Sequence, residues 1–327
     1  MSARPILTLL PFSSVLFLGA CKPLGPDHEV PGMKLPASFS NGGVKWKRQS
    51  PDSLPKPRSW WRLYNDSTLN SIVDRALDNN QELASSAARV RQARSLSQAA
   101  RGRYFPTIDI NASAGRSKSN VSGASVIENR VTLPADLSYE LDVWGKVRRQ
   151  VESSDASADA AQENLNALRL TIASEVAQTY WALRAVDADR DLLTRAVELR
   201  QKAYNLLSEQ RDAGAISGLD LSRAETELAT AQADRLQLDQ DRVELVNALA
   251  VLAGSVATGS TVPEKYDLPT PPSIRVSVPS ELLLQRPDIR AAERRVAAAN
   301  ADIGVAMGAY YPSFGIGGSG GFQASSM

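Results

Sequence analysis

Residues 82–115, ELASSAARVRQARSLSQAARGRYFPTIDINASAG, align without a gap on residues 288–321, DIRAAERRVAAANADIGVAMGAYYPSFGIGGSGG, at an offset of 206. Ten pairs are identical: Arg89/Arg295, Val90/Val296, Ala93/Ala299, Ala100/Ala306, Gly102/Gly308, Tyr104/Tyr310, Pro106/Pro312, Ile110/Ile316, Ser113/Ser319 and Gly115/Gly321. Chance alone would give about two or three. Each copy reads as an Ala- and Arg-rich helix, then an aromatic pair and proline, then an alternating strand. A repeat of this length signals one supersecondary unit used twice. The expected fold class is mainly α with β, internally duplicated, with the second repeat incomplete.

Upstream of the first copy, Leu69, Ile72, Val73, Ala76, Leu77, Leu83, Ala87, Val90 and Ala93 recur at helical steps, which predicts one helix from Leu69 to about Arg103. Asp66 or Ser67 would cap it. Pro106 ends the helix and the period becomes two. Ile108, Ile110, Ala112 and Ala114 then share one face, opposite Asp109, Asn111, Ser113 and Gly115. A polar loop is expected over 116–129. A second strand follows, in which Val131, Leu133, Ala135, Leu137, Tyr139 and Leu141 alternate with Thr132, Pro134, Asp136, Ser138 and Glu140. About ten residues of such alternation suit a tilted strand crossing a bilayer in a closed barrel. They equally suit a half-buried hairpin of a soluble domain. In lipid, a lone hairpin would leave edge N–H and C=O groups unpaired, so a membrane hairpin must join others.

No proline occurs between Pro134 and Pro263, and Leu165, Leu168, Ile172, Val176, Leu183, Val186, Leu193 and Val197 mark one seam of a long helix starting at Lys146. Read to Arg211, it would be about 100 Å long at 1.5 Å per residue, which calls for a coiled-coil partner. Gly214 suits a left-handed C-terminal cap, and Ser217 with Asp220 a capping box. A return helix runs from Leu219 to Leu252 through Leu221, Leu228, Leu236, Leu245 and Leu249. These segments form a long antiparallel coiled-coil hairpin over 146–252.

The N-terminus reads as a lipoprotein leader. A basic Arg4, an apolar stretch from Ile6 to Leu18 and the sequence Leu18-Gly19-Ala20-Cys21 form a signal peptide over 1–20 that ends in a lipobox. The apolar run is too short to span a bilayer. Cys21, the only cysteine, is the candidate lipid-attachment site, and acyl chains contribute about 0.8 kcal/mol per buried methylene. Lys22 stands where an Asp would signal retention at the inner membrane, which favours the outer one. Residues 21–66, rich in Pro, Gly, Ser and Lys, are expected to be extended, closing at Trp60-Trp61.

Composition weighs against several functional classes. Lys plus Arg is 37 and Asp plus Glu 36, so no net field selects nucleic acid or an acidic substrate. His28 is the only histidine, which leaves no usual N/S metal site and no Ser/His or Cys/His nucleophile pair. No Gly-rich phosphate loop is present. An enzyme is not expected.

Trp60-Trp61, Leu69-Asn70, Gln92-Ala93-Arg94, Tyr104-Phe105-Pro106, Tyr139-Glu140-Leu141-Asp142-Val143-Trp144-Gly145-Lys146 and Val278-Pro279-Ser280-Glu281-Leu282-Leu283 occur in that order. With Arg286-Pro287-Asp288-Ile289 and Gly25-Pro26-Asp27, they resemble the TolC-like outer membrane factors of tripartite efflux systems, in their lipidated NodT/OprM-type branch. The resemblance implies a homotrimer in which each protomer gives two β-hairpins to a shared barrel in outer-membrane lipid and two helical hairpins to a periplasmic tunnel. It implies as partners a periplasmic adaptor and an inner-membrane pump, and no cofactor beyond covalent lipid on Cys21. It makes Val131, Leu133, Leu137, Tyr139 and Leu141 lipid-facing, and Arg211, Gly214, Ser217, Leu219 and Asp220 an adaptor-contact tip. It divides the chain into a first repeat over 67–257, with a β-hairpin over 104–142, a linker over 258–278 and a second repeat over 279–327. Against the family pattern the chain is expected to be C-terminally truncated and, alone, not to conduct. Two alternatives stay open: a periplasmic adaptor lipoprotein, which would flank its helical hairpin with Gly-containing lipoyl-type strands, and a structural coiled-coil lipoprotein, which would need no alternating strands.

Overall fold

The computed structural model describes residues 22–30, 57–121, 124–266, 271–272 and 285–326. The signal peptide, Cys21 and most of the segment up to 56 lie outside the described residues, as do 273–284 of the linker and second repeat. The chain forms two compact units, one from residues 1–29, 95–157 and 295–327, the other from 30–94 and 158–294.

Helices α1 (Ser67–Asn79) and α2 (Gln81–Gly102) replace the single helix expected from Leu69 to Arg103. The break is the work of Asn80. Its backbone is extended, its Oδ1 accepts from the N–H groups of Glu82 and Leu83, and its Nδ2 donates to Leu252 O at 3.2 Å. One side chain therefore caps the start of α2 and ties it to the end of the return helix, which apolar periodicity does not reveal. Asp66 is the N-cap of α1.

Two long helices, α3 (Lys146–Asp212) and α4 (Gly218–Leu252), form the expected hairpin. Antiparallel register is fixed by Arg190 on Asp239 and Arg242 on Asp187. Leu69, Ile72, Val73 and Ala76 of α1 pack with Leu83 and Val90 of α2. The same core takes Leu165, Ile172, Val176, Tyr180 and Leu183 from α3 and Val246 and Leu249 from α4, and Trp61 joins it. Burying each large aliphatic contributes about 1.5–3 kcal/mol. Leu236, expected on the α4 seam, is instead 61% exposed. The seam passes through Leu228 and Ala231 and then through Asp239 and Arg242, whose ion pairs with α3 occupy the place of an apolar layer.

The smaller unit holds a sheet of β1 (Thr107–Ile110), β2 (Ser113–Val121), β3 (Ala124–Leu141) and β4 (Phe314–Ser326), all antiparallel to the central β3. Residues 116–129, expected as a loop, are strand up to Val121 and again from Ala124, because β2 stays paired with β3 through Val121↔Ala124. β1 and β2 lie in one register, Ile110 opposite Ala135 and Ser113 opposite Thr132. Pro134 separates them, since it has no N–H to donate, and the ladder retains only Asn111 N–H to Pro134 O at 3.2 Å.

The duplication is visible in hydrogen bonds. α2 ends with Arg103, Tyr104 and Phe105 donating to Ala100, Arg101 and Gly102. α5 (Pro287–Gly308) ends with Ala309, Tyr310 and Tyr311 donating to Ala306, Met307 and Gly308. Each turn then leads into a strand paired with β3.

Candidate functional site: an apolar sheet face, its foot and a helical tip

Register sorts the sheet into two faces. One carries Val131, Leu133, Ala135, Leu137, Tyr139 and Leu141 of β3, opposite Ile108, Ile110 and Ala114 on one side and Phe314, Ile316, Phe322 and Ala324 on the other. Val131, Leu133, Leu137, Leu141, Ile108, Ile110, Ile316 and Phe322 are all exposed, and Tyr139 is partly so. The other face carries Asp109 opposite Asp136, Ser113 opposite Thr132, and Glu140 opposite Gly315. Exposed apolar surface running across three strands is far from what water favours. From Val131 to Leu141 the apolar band measures about 33 Å along the strand at about 3.3 Å per residue, and a strand tilt of about 45° brings this to about 23 Å, close to the roughly 25 Å apolar band of outer-membrane barrels. Above the band the same face turns polar at Arg116 and Lys118, opposite Asn129 and Ile127. No helix among the described residues is long and apolar enough to cross a membrane.

Aromatic residues gather at the foot of the sheet, where β3 ends and β1 and β4 begin. Trp144 stacks on Tyr311 at 4.8 Å and donates its indole N–H to Pro312 O at 2.9 Å. Phe105 and Tyr310 are exposed beside the two prolines. Amphipathic aromatics favour the membrane–water interface. Asp142 fixes the turn from strand to helix: its carboxylate accepts from the backbone N–H groups of Val147 and Arg148, capping α3, and from the Arg148 side chain.

Lys22–Glu29, the segment directly after Cys21, lies against this foot. Leu24 N–H donates to Trp144 O at 3.1 Å, and Asn300 Nδ2 to Pro26 O at 2.8 Å. Arg149, 3% exposed, donates to Leu24 O, Gly25 O and the Asp27 carboxylate. The hydrogen bonds from Lys22 and Arg149 hold the Asp27 carboxyl below its ordinary pKa, against a smaller effect of desolvation. The motif Gly25-Pro26-Asp27 is legible in the sequence, whereas Arg149 is not. In a helix full of arginines, nothing local distinguishes it.

At the opposite end of α3, Gly214 has φ +73°. Its N–H donates to Arg211 O and that of Ala215 to Gln210 O, both at 2.8 Å, the paired bonds of a Schellman cap. Ser217 caps α4 by accepting from Asp220 N–H, and its hydroxyl donates to the Asp220 carboxylate at 2.7 Å. That bond holds the Asp220 carboxyl below its ordinary pKa. The Arg211 guanidinium lies beside Gly218, and Leu219 is 60% exposed. The fold therefore brings all five tip residues together, with Leu219 the large apolar group turned to solvent. Among the described residues no group of three or more His, Cys, Asp or Glu side chains could hold a metal ion.

Residues 72–255 and 278–327 match the family described as outer membrane efflux protein. The chain is 29% identical to the solvent efflux pump outer membrane protein SrpC of Pseudomonas putida, over 97% of this chain and 69% of SrpC. It is also 29% identical to the cation efflux system protein CusC of Escherichia coli O6:H1, over 94% of this chain and 66% of CusC. Among solved structures, the outer-membrane channel OprN superposes with a TM-score of 0.79 at 30% identity, covering 93% of this chain and 72% of OprN. The chain thus spans about two thirds of the length of these relatives.

Proposed function

The chain belongs to the outer membrane efflux protein family, and on that premise we propose that it is the outer-membrane channel component of a tripartite efflux system, a passive conduit for small molecules across periplasm and outer membrane. One observation carries this reading: a three-strand apolar face, exposed to solvent in the single chain, joined directly to a 67-residue helix. A soluble adaptor or a plain coiled-coil lipoprotein has no use for such a face, and the relatives carry the names of an efflux pump outer membrane protein and an outer-membrane channel. Neither alternative is favoured.

In this reading Val131, Leu133, Leu137, Tyr139 and Leu141 face outer-membrane lipid, and Asp109, Asp136 and Glu140 face the water-filled lumen. The open edges of the sheet are closed by further strands in a homotrimer, because lipid tolerates no open edge. Arg211, Gly214, Ser217, Leu219 and Asp220 meet a periplasmic adaptor that links the conduit to an inner-membrane pump, and an acyl group on Cys21 anchors the chain. Work is done by the pump, so the conduit needs a continuous polar lining and no catalytic group.

Photoreactive side chains at Leu137 and Leu219 test both ends in cells that express an adaptor and pump. Capture of lipid from position 137 and of adaptor from position 219 is the expected result. Capture of periplasmic protein alone from position 137 would overturn it.

A further inference from the structure

Arg149 lies near the start of α3, where an arginine would ordinarily point to solvent, yet its side chain is 3% exposed. Of the four partners its side chain bonds among the described residues, only Glu152 belongs to α3. The other three, Leu24 O at 3.0 Å, Gly25 O at 3.1 Å and Asp27 Oδ1 at 2.8 Å, belong to the segment that follows Cys21. A guanidinium buried for helix packing would direct its donors at helices. This one directs them chiefly at a strap of irregular chain that bends at Leu24 and Gly25.

The surroundings are cut to fit that strap. At Gly304 of α5 a Cβ would sit 2.4 Å from Leu24 O and 2.7 Å from Arg149 Cγ. At Gly145, φ +78°, it would sit 2.6 Å from Pro23 Cα. At Gly25, φ +88°, it would sit 2.7 Å from Gly304 Cα. Contacts this close exclude any side chain, so glycines on three separate segments clear one path. Asn300 closes the far side by donating to Pro26 O, and Lys22 pairs with Asp27 at 2.8 Å.

We propose that Arg149 is a positioning residue for membrane anchoring: with Gly145, Asn300 and Gly304 it forms a peptide-binding groove that holds Lys22–Glu29 at the foot of the sheet. This rests on the reading of Cys21 as acylated. The tie from Leu24 N–H to Trp144 O, three residues after Cys21, then limits how far an acyl group on that cysteine lies from the foot of the sheet, where the apolar face begins. The groove thereby sets the height of the anchor relative to the sheet.

Hydrogen exchange on the full acylated chain in detergent tests the groove through the Leu24 amide. In the parent this amide exchanges slowly. Arg149→Gln and Gly304→Leu accelerate it about tenfold or more, Arg149→Lys less, and Asp27→Asn, on the exposed strap and harmless to the helices, about threefold. Amides of 172–183 keep their protection throughout. Leu24 exchange within twofold of the parent in Arg149→Gln, Gly304→Leu and Asp27→Asn alike would overturn the groove. Palmitate labelling separates the two readings. Equal label on parent and Arg149→Gln, and none on Cys21→Ser, is expected; an unlabelled parent would overturn the anchor while leaving Leu24 protection to report on the groove.

Discussion

The phenol of Tyr180, deep in α3, donates a 2.9 Å hydrogen bond to Asp66, the residue that caps α1, 114 positions away. The other carboxylate oxygen accepts from Thr68 and Leu69 N–H, and Lys265 Nζ reaches the shared one at 3.1 Å. One nearly buried carboxylate thus joins α1, α3 and the chain beyond α4. Asp66→Ala removes a cap worth about 1 kcal/mol and leaves the Tyr180 hydroxyl buried without its acceptor, for a further ~1–3 kcal/mol. Tyr180→Phe removes one bond, about 1 kcal/mol. Thermal midpoints followed by helical circular dichroism should rank parent above Tyr180→Phe above Asp66→Ala.

The same carboxylate makes stability pH-dependent. Burial pushes its pKa up, but bonds from Leu69 N–H, Tyr180 and Lys265 outweigh this and hold it below the ordinary value. A group whose folded pKa is depressed stabilises fully above its unfolded pKa, about 4, and loses that contribution as pH falls through the lower folded value. The thermal midpoint should therefore drop below about pH 4, and drop less in Asp66→Asn.

Gly214 and Gly254 have the same left-handed backbone, at φ +73° and +67°, in different surroundings. A Cβ at Gly214 meets open space, so Gly214→Ala should cost about 1–2 kcal/mol. At Gly254 it would lie 2.4 Å from Asn79 O, so Gly254→Ala should cost about 2–5 kcal/mol. Denaturant midpoints of the two variants check the difference.

Asp187 is fully buried between Arg184 at 3.2 Å and Arg242 at 2.7 Å. Arg184 also covers the Tyr180 ring and donates to Pro263 O. Asp187→Ala leaves two cations facing each other and should cost about 3–5 kcal/mol. The pair of Arg190 with Asp239 is partly solvated, so Arg190→Ala should cost about 1 kcal/mol or less. Chemical denaturation of both variants measures the gap.

Much of the site was legible in the chain itself. Alternation from Val131 to Leu141 marks the apolar face because strand period is fixed at two, whatever the strand packs against. Gly214, Ser217 and Asp220 mark the tip because caps are local. The extension of β2 to Val121 was not legible: residues 116–120 are polar and become strand only because β3 lies beside them. Leu236 is exposed for a related reason, since ion pairs with α3 fill the seam where helical periodicity puts an apolar residue.

By itself, the sequence determined the repeat, the helix-to-strand junctions at Pro106 and Pro312, the long helical hairpin and the apolar alternation. Each of these follows from local periodicity, propensity or covalent constraint. Only the tertiary structure decided that Asn80 breaks the first helix against Leu252, that Asp66 joins three segments, and that Arg149 holds the chain beside Leu24. Those roles depend on which distant group faces a side chain, and an arginine or aspartate looks the same in sequence whether it meets water or a buried partner.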